Sequence, residues 1–206
     1  MKLIRNITAL VVLQLCLLSV AFASPTARIT SGTTTVALTR SFALATHGTG
    51  IFASLGAPAS QRNGLLRFKI REGQIDTVNL RGELIHEGGI RFSNGTNLIE
   101  FYNFILDTTG STPILFAFVR KNNSVVGRLP LFTIRFVDPI LSRSYRYITL
   151  PNSPMILRGE AASILNDAFN TNIFNTHTEV GTADITARLT YSFSTRALKN
   201  PFNVSF

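Results

Sequence analysis

Three histidines, His47, His86 and His177, stand far apart in the chain, without the short spacing that makes two imidazoles a metal pair, and no zinc signature is present. Carboxylates at Glu83, Glu87, Asp107, Asp138 and Asp184 could in principle pair as acid and base. None sits in a recognisable catalytic frame, and a solvated carboxylate on a strand face or turn is the ordinary outcome. A nucleophile elbow, a phosphate-binding glycine loop and a dinucleotide fingerprint are all missing. The one cysteine, Cys16, falls in the apolar first segment. The expectation is a protein that is not an enzyme and holds no metal in a histidine or cysteine site.

The most individual stretch is His86-Glu87-Gly88-Gly89-Ile90-Arg91-Phe92, in which a charged pair and two glycines interrupt a strand pattern. Paired glycines inside a strand mark a bulge or a close backbone approach. Such a bulge has two uses. It lets a sheet coil, with His86 hydrogen-bonded in the interior, or it opens a ligand pocket that uses His86 and a tyrosine such as Tyr102.

The elements that must position these residues are mainly strands. Leu66, Phe68 and Ile70 alternate with Arg67, Lys69 and Arg71, which is the period of a half-buried strand. The same alternation predicts strands over 82–92, 97–106, 114–119, 125–136, 146–150 and 182–193. Asn94-Gly95 and Asn122-Asn123 tolerate positive φ and close hairpins between them. One helix is predicted over 160–169, where Ala161, Ile164, Leu165, Ala168 and Phe169 keep helical spacing and Asn170 can take a left-handed terminal conformation. A second is predicted over 39–46, stopped near Gly48. Val36 to Leu38, the Phe42 helix and Gly50 to Phe52 parallel Met155 to Leu157, the Phe169 helix and Asn172 to Phe174, a strand-helix-strand pseudo-repeat. The expected fold is mainly β, with antiparallel sheets in a sandwich or a curled sheet and one or two short helices.

His86-x-Gly88-Gly89, preceded by the Ser41-Phe42 helix and followed by a strand pair, Leu129-Pro130-Leu131-Phe132 and an Ala161-Ala162 helix, resembles the exported HtaA domains. The resemblance covers most of the chain after its first segment. It implies a β-rich haem-binding module of surface haem uptake, in which a tyrosine of the early helix ligates iron and a histidine before the glycine pair supports it. His86 matches the supporting histidine. The ligand tyrosine falls at Ala45, which cannot bind iron, and no tyrosine precedes Tyr102. A haem site would therefore be a rebuilt one, with His47, or one of Tyr102, Tyr145 and Tyr147, in the tyrosine's place.

The ends bound the location. Lys2 and Arg5, an apolar stretch, and Ala21-Phe22-Ala23 before Ser24-Pro25 have the three parts of a signal peptide, with small residues at Ala21 and Ala23 for cleavage after Ala23. Leu15 stands directly before Cys16, where a lipoprotein signal has Gly, Ala or Ser, so Cys16 is expected to leave with the leader. Residues 24–206 then form a single, cysteine-free β-rich domain, exported to the periplasm, the cell surface or the medium, with no stable membrane anchor. A chain of this length buries about 70% of its unfolded surface, enough to fold without disulfides. Losing Lys2 and Arg5 lowers the formal charge from +9 to +7. The arginines are scattered singly, which speaks against nucleic acid and leaves an unknown envelope ligand or protein as partner. Phe202, Val204 and Phe206 alternate like the last strand of an outer-membrane barrel, but four tyrosines and no tryptophan make a poor aromatic girdle. Sequons stand at Asn94, Asn122 and Asn203.

Overall fold

The computed structural model describes residues 26–191. The leader with Ala21, Ala23 and Cys16, the end of the last predicted strand at Phe193, Asn203 and the terminal phenylalanines lie outside the described residues. In chain order the elements are β1 Thr26–Leu38, α1 Arg40–Gly48, β2 Phe52–Gly56, β3 Ser60–Arg62, β4 Leu65–Asp76, β5 Gly82–Glu87, β6 Gly89–Ser93 and β7 Leu98–Asp107. Then come β8 Ile114–Lys121, β9 Ser124–Ile134, β10 Ile140–Leu141, β11 Tyr147–Leu157, α2 Gly159–Phe169 and β12 Glu179–Thr190. All pairings are antiparallel.

The curled sheet closes. Strands run β7-β5-β4-β1-β12-β11-β9-β8, and β8 pairs back onto β7 through Tyr102↔Phe118 and Leu106↔Leu115, which completes an eight-stranded barrel. Inside it are Ile29, Val36, Phe68, Ile70, Phe101, Leu106, Ile134 and Ile185, all buried. Outside, Arg67, Lys69, Arg71, Asp184 and Arg188 face solvent. This apolar interior with a charged exterior is the inverse of an outer-membrane barrel, whose apolar band faces lipid and whose interior is polar. No helix among the described residues is long and apolar enough to cross a membrane.

Both helices lie at one end of the barrel, because each follows a strand that runs to that end: β1 into α1 and β11 into α2. Thr39 caps α1, accepting the Phe42 N–H at 3.3 Å, and Asn170 ends α2 at φ 50°, as its left-handed tolerance predicts. The chain ends of the described domain, Thr26 and Tyr191, lie at the other end, where β1 pairs with the last residues of β12 through Arg28↔Thr190.

The pseudo-repeat holds for strand and helix but not for the segment after the helix. Gly50 to Phe52 leads into β2, whereas Asn172 to Phe174 is irregular. There the Asn166 side chain replaces a ladder: Nδ2 donates to the Phe174 carbonyl at 2.8 Å and Oδ1 accepts the Phe174 N–H at 3.2 Å. The predicted strand over 82–92 is also two strands rather than one, broken at Gly88.

Candidate functional site

The break at Gly88 organises the site. Before it, β5 pairs with β4 through Ile70↔His86 and Lys69↔Glu87; after it, β6 pairs with β2 through Leu55↔Ile90 and Gly56↔Gly89. Both halves keep β7 as the other neighbour. One extended segment thus changes partner in mid-course, which lifts β2 and β6 away from the barrel wall. Gly88 sits at φ +97°, and a Cβ there would come within 2.8 Å of the Ala59 backbone. A Cβ on Gly89 would meet the Phe101 carbonyl oxygen at 2.6 Å. Both glycines are required, Gly88 by its positive φ and both by close approach.

Where the wall parts, a cavity of about 200 Å³ remains at the helix end of the barrel. Its walls are almost wholly apolar, among them Phe42, Phe68, Ile90, Phe104, Phe132 and Leu165, and Ser54 and Gln61 stand at its mouth. A dry cavity of about 150 Å³ is already large enough for benzene, while pockets for drug-sized ligands begin at about 300 Å³. The size therefore suits a compact apolar group.

The buried polar side chains on the wall are His86, 4% exposed, and Thr34. Its Nε2 shares a hydrogen bond of 2.8 Å with Thr34 Oγ1 on β1. Nδ1 is fully buried and makes no hydrogen bond of good geometry among the described residues. The carbonyls of Phe104 and Leu84 face the ring and favour its charged form, but desolvation outweighs them and lowers the pKa from 6.5 to about 4. The imidazole is neutral near pH 7. The ring is held from two sides, by Thr34 at Nε2 and by the Leu84 and Phe104 backbone, and borders the apolar cavity as a fixed neutral group.

The other predicted ligand groups are not gathered here. His47, in the last turn of α1, is exposed and meets Phe52 edge to face at 5.6 Å, outside the cavity. Tyr102 lies on the outer face of β7, stacked on Phe118 at 5.8 Å with the Arg120 guanidinium 4.9 Å from its ring centre. Tyr147 starts β11 beside Arg188, towards the end of the barrel away from the helices. Ala45 is an exposed residue of α1. The residue that His86 meets is Thr34, fifty-two positions away, and no local spacing pointed to it. Of the carboxylates, Asp107 accepts from Thr109, Asp184 from the Asn152 N–H, and Glu87 pairs with Lys69 at 3.6 Å. Among the described residues no group of three His, Cys, Asp or Glu side chains could hold a metal ion.

Fold and cavity together define a class: a closed antiparallel barrel of eight strands with two helices and an apolar cavity at one end. The C-terminal domain of HtaA from Corynebacterium glutamicum has this fold, with a TM-score of 0.63 over 80% of this chain and 99% of that one, at 18% identity. The N-terminal domain of the same protein superposes with a TM-score of 0.58 over 79% and 98%, at 14% identity. The heme binding protein HtaB of that organism superposes at a TM-score of 0.47 over 81% and 97%, at 13% identity. The fold is therefore HtaA-like, as the strings around His86 indicate. No protein-family model matches the sequence, and no curated protein matches it by sequence.

Proposed function

We propose that this chain is an exported, non-enzymatic binding domain that takes a compact apolar ligand in the cavity at the helix end of its barrel. The observation that carries this reading is a cavity of about 200 Å³ walled almost wholly by apolar side chains, with the neutral His86 imidazole and the Thr34 hydroxyl as its buried polar groups. Apolar enclosure supplies affinity and a few polar groups fix orientation, which is the usual division of labour in small-molecule sites. Indole matches the size and offers one N–H. Titration with indole, followed through the His86 ring resonances, is expected to shift them saturably, and His86→Phe is expected to weaken binding. Saturable binding that leaves the His86 resonances unmoved would place the ligand elsewhere, and no binding by indole or benzene would remove the reading.

Haem is the second reading, implied by the sequence resemblance. The tyrosine-ligated form does not fit, since Ala45 offers no ligand and His86 is turned to Thr34 inside a cavity too small for a macrocycle. What favours haem at all is the pairing of exposed His47 with Phe52, 60% exposed, which offers an imidazole ligand beside a bare ring on the surface. On that reading hemin titration gives a Soret band that His47→Ala abolishes and His86→Ala leaves in place. A hemin spectrum indifferent to both substitutions ends it.

A further inference from the structure

Ten large hydrophobic side chains stay exposed among the described residues, and four of them, Val137, Ile140, Tyr145 and Tyr147, fall within residues 137–147. The segment forms the β10–β11 hairpin, with pairs Ile140↔Thr149 and Leu141↔Ile148. Its tip is built rather than loose. Ser142 Oγ accepts the N–H groups of Arg146 and Tyr147 at 3.1 and 3.0 Å, the Ser142 N–H donates to the Tyr147 carbonyl at 2.9 Å, and the Tyr145 N–H donates to the Ser142 carbonyl at 2.8 Å.

This turn holds Tyr145 at φ +54° and leaves it 60% exposed. A bulky side chain in the left-handed region is strained, and burial within the domain does not offset that strain. Three arginines surround it, Arg143 and Arg146 on the tip and Arg188 paired with Tyr147 across the ladder, against one carboxylate in the segment, Asp138. None of the three has an ion pair among the described residues.

We infer that the β10–β11 hairpin is a docking element for an anionic phospholipid surface. Tyrosines and Ile140 suit the boundary between headgroups and acyl chains, and arginines bind phosphate oxygens. A convex tip encloses no small molecule, and its excess of positive charge matches a negatively charged surface. β11 leaves this tip and runs to α2, so docking here turns the mouth of the cavity away from the lipid.

The test is sedimentation of the purified protein with vesicles of phosphatidylglycerol in phosphatidylcholine, against phosphatidylcholine alone. Binding is expected only to the anionic vesicles and is expected to fall with added salt. Each arginine near such a surface contributes about fivefold to partitioning, so Arg143→Ala with Arg146→Ala is expected to weaken binding about thirtyfold. Tyr145→Asn separates docking from folding, because asparagine tolerates the left-handed turn. Partitioning falls while thermal stability holds or rises. Equal binding to both vesicle types, no vesicle binding, unchanged binding in these variants, or a Tyr145→Asn protein that melts lower would each overturn the inference.

Discussion

The two helices occupy corresponding places after β1 and β11, yet they do different work. α2 buries Ala161, Ala162, Leu165, Ala168 and Phe169, whereas α1 buries only Phe42 and Thr46. α2 closes its part of the barrel end with a full apolar face. α1 touches down through Phe42, which meets Phe174 at 6.1 Å between ring centres, and through the Thr39 N–H, which donates to the Val180 carbonyl at 2.9 Å. Apart from Thr46, the rest of α1 is exposed, including Leu44 at 61%. A plug and a lightly held flap at one barrel end leave the cavity between them, and that difference makes the HtaA-like fold a container here.

The largest test of this contrast is a truncation in each helix. Leu165→Ala removes a fully buried side chain that also lines the cavity, and is expected to cost about 2–5 kcal/mol in denaturant melts, of the order found for buried leucines. Leu44→Ala in α1 is expected to stay within about 0.5 kcal/mol, as exposed positions do. Equal costs would mean that α1 is as much part of the core as α2.

The next effect is read by pH. Burial holds His86 near 4 while the unfolded chain titrates near 6.5. Between those values the unfolded state binds a proton that the folded state does not, so stability falls as pH drops from about 6.5 to about 4 and levels off below. The span amounts to about 3 kcal/mol. His86→Gln keeps a polar group against Thr34 and is expected to flatten that slope in urea melts at stepped pH. A slope unchanged in the variant would mean that another group carries it.

Much of this architecture is written locally. Leu66, Phe68 and Ile70 against Arg67, Lys69 and Arg71 state which side of β4 faces in, and Asn94-Gly95 and Asn122-Asn123 mark two hairpins found where expected. β1 is harder to read, since Thr30 to Thr35 puts small polar residues on both faces and hides the period. β11 continues through Pro151 and Pro154 because a register shift between Leu150 and Ser153 absorbs the first of them. Barrel closure rests on the pairing of β7 with β8 back into the circuit, and a pattern of short alternating strands is the same for a sandwich and a barrel. At the site, His86 and its glycines stand out by composition. Thr34 does not, for it is one threonine of several, and only the pairing of β1 and β5 on either side of β4 brings it to the imidazole.

The smallest effect concerns how α1 is held. Thr39 Oγ1 accepts the Phe42 N–H at 3.3 Å and lies 3.0 Å from the Glu179 carbonyl, to which it donates, so one hydroxyl both caps the helix and ties it to β12. Thr39→Ala removes both contacts and is expected to cost about 1 kcal/mol. Its distribution is more telling than its size. α2 carries no side-chain cap at Arg158 and draws its stability from burial, so amide exchange in Thr39→Ala should quicken through α1 while α2 keeps wild-type protection. If both helices loosened together, α1 would not be a flap with its own opening equilibrium, and entry to the cavity would require the barrel end to open as a unit.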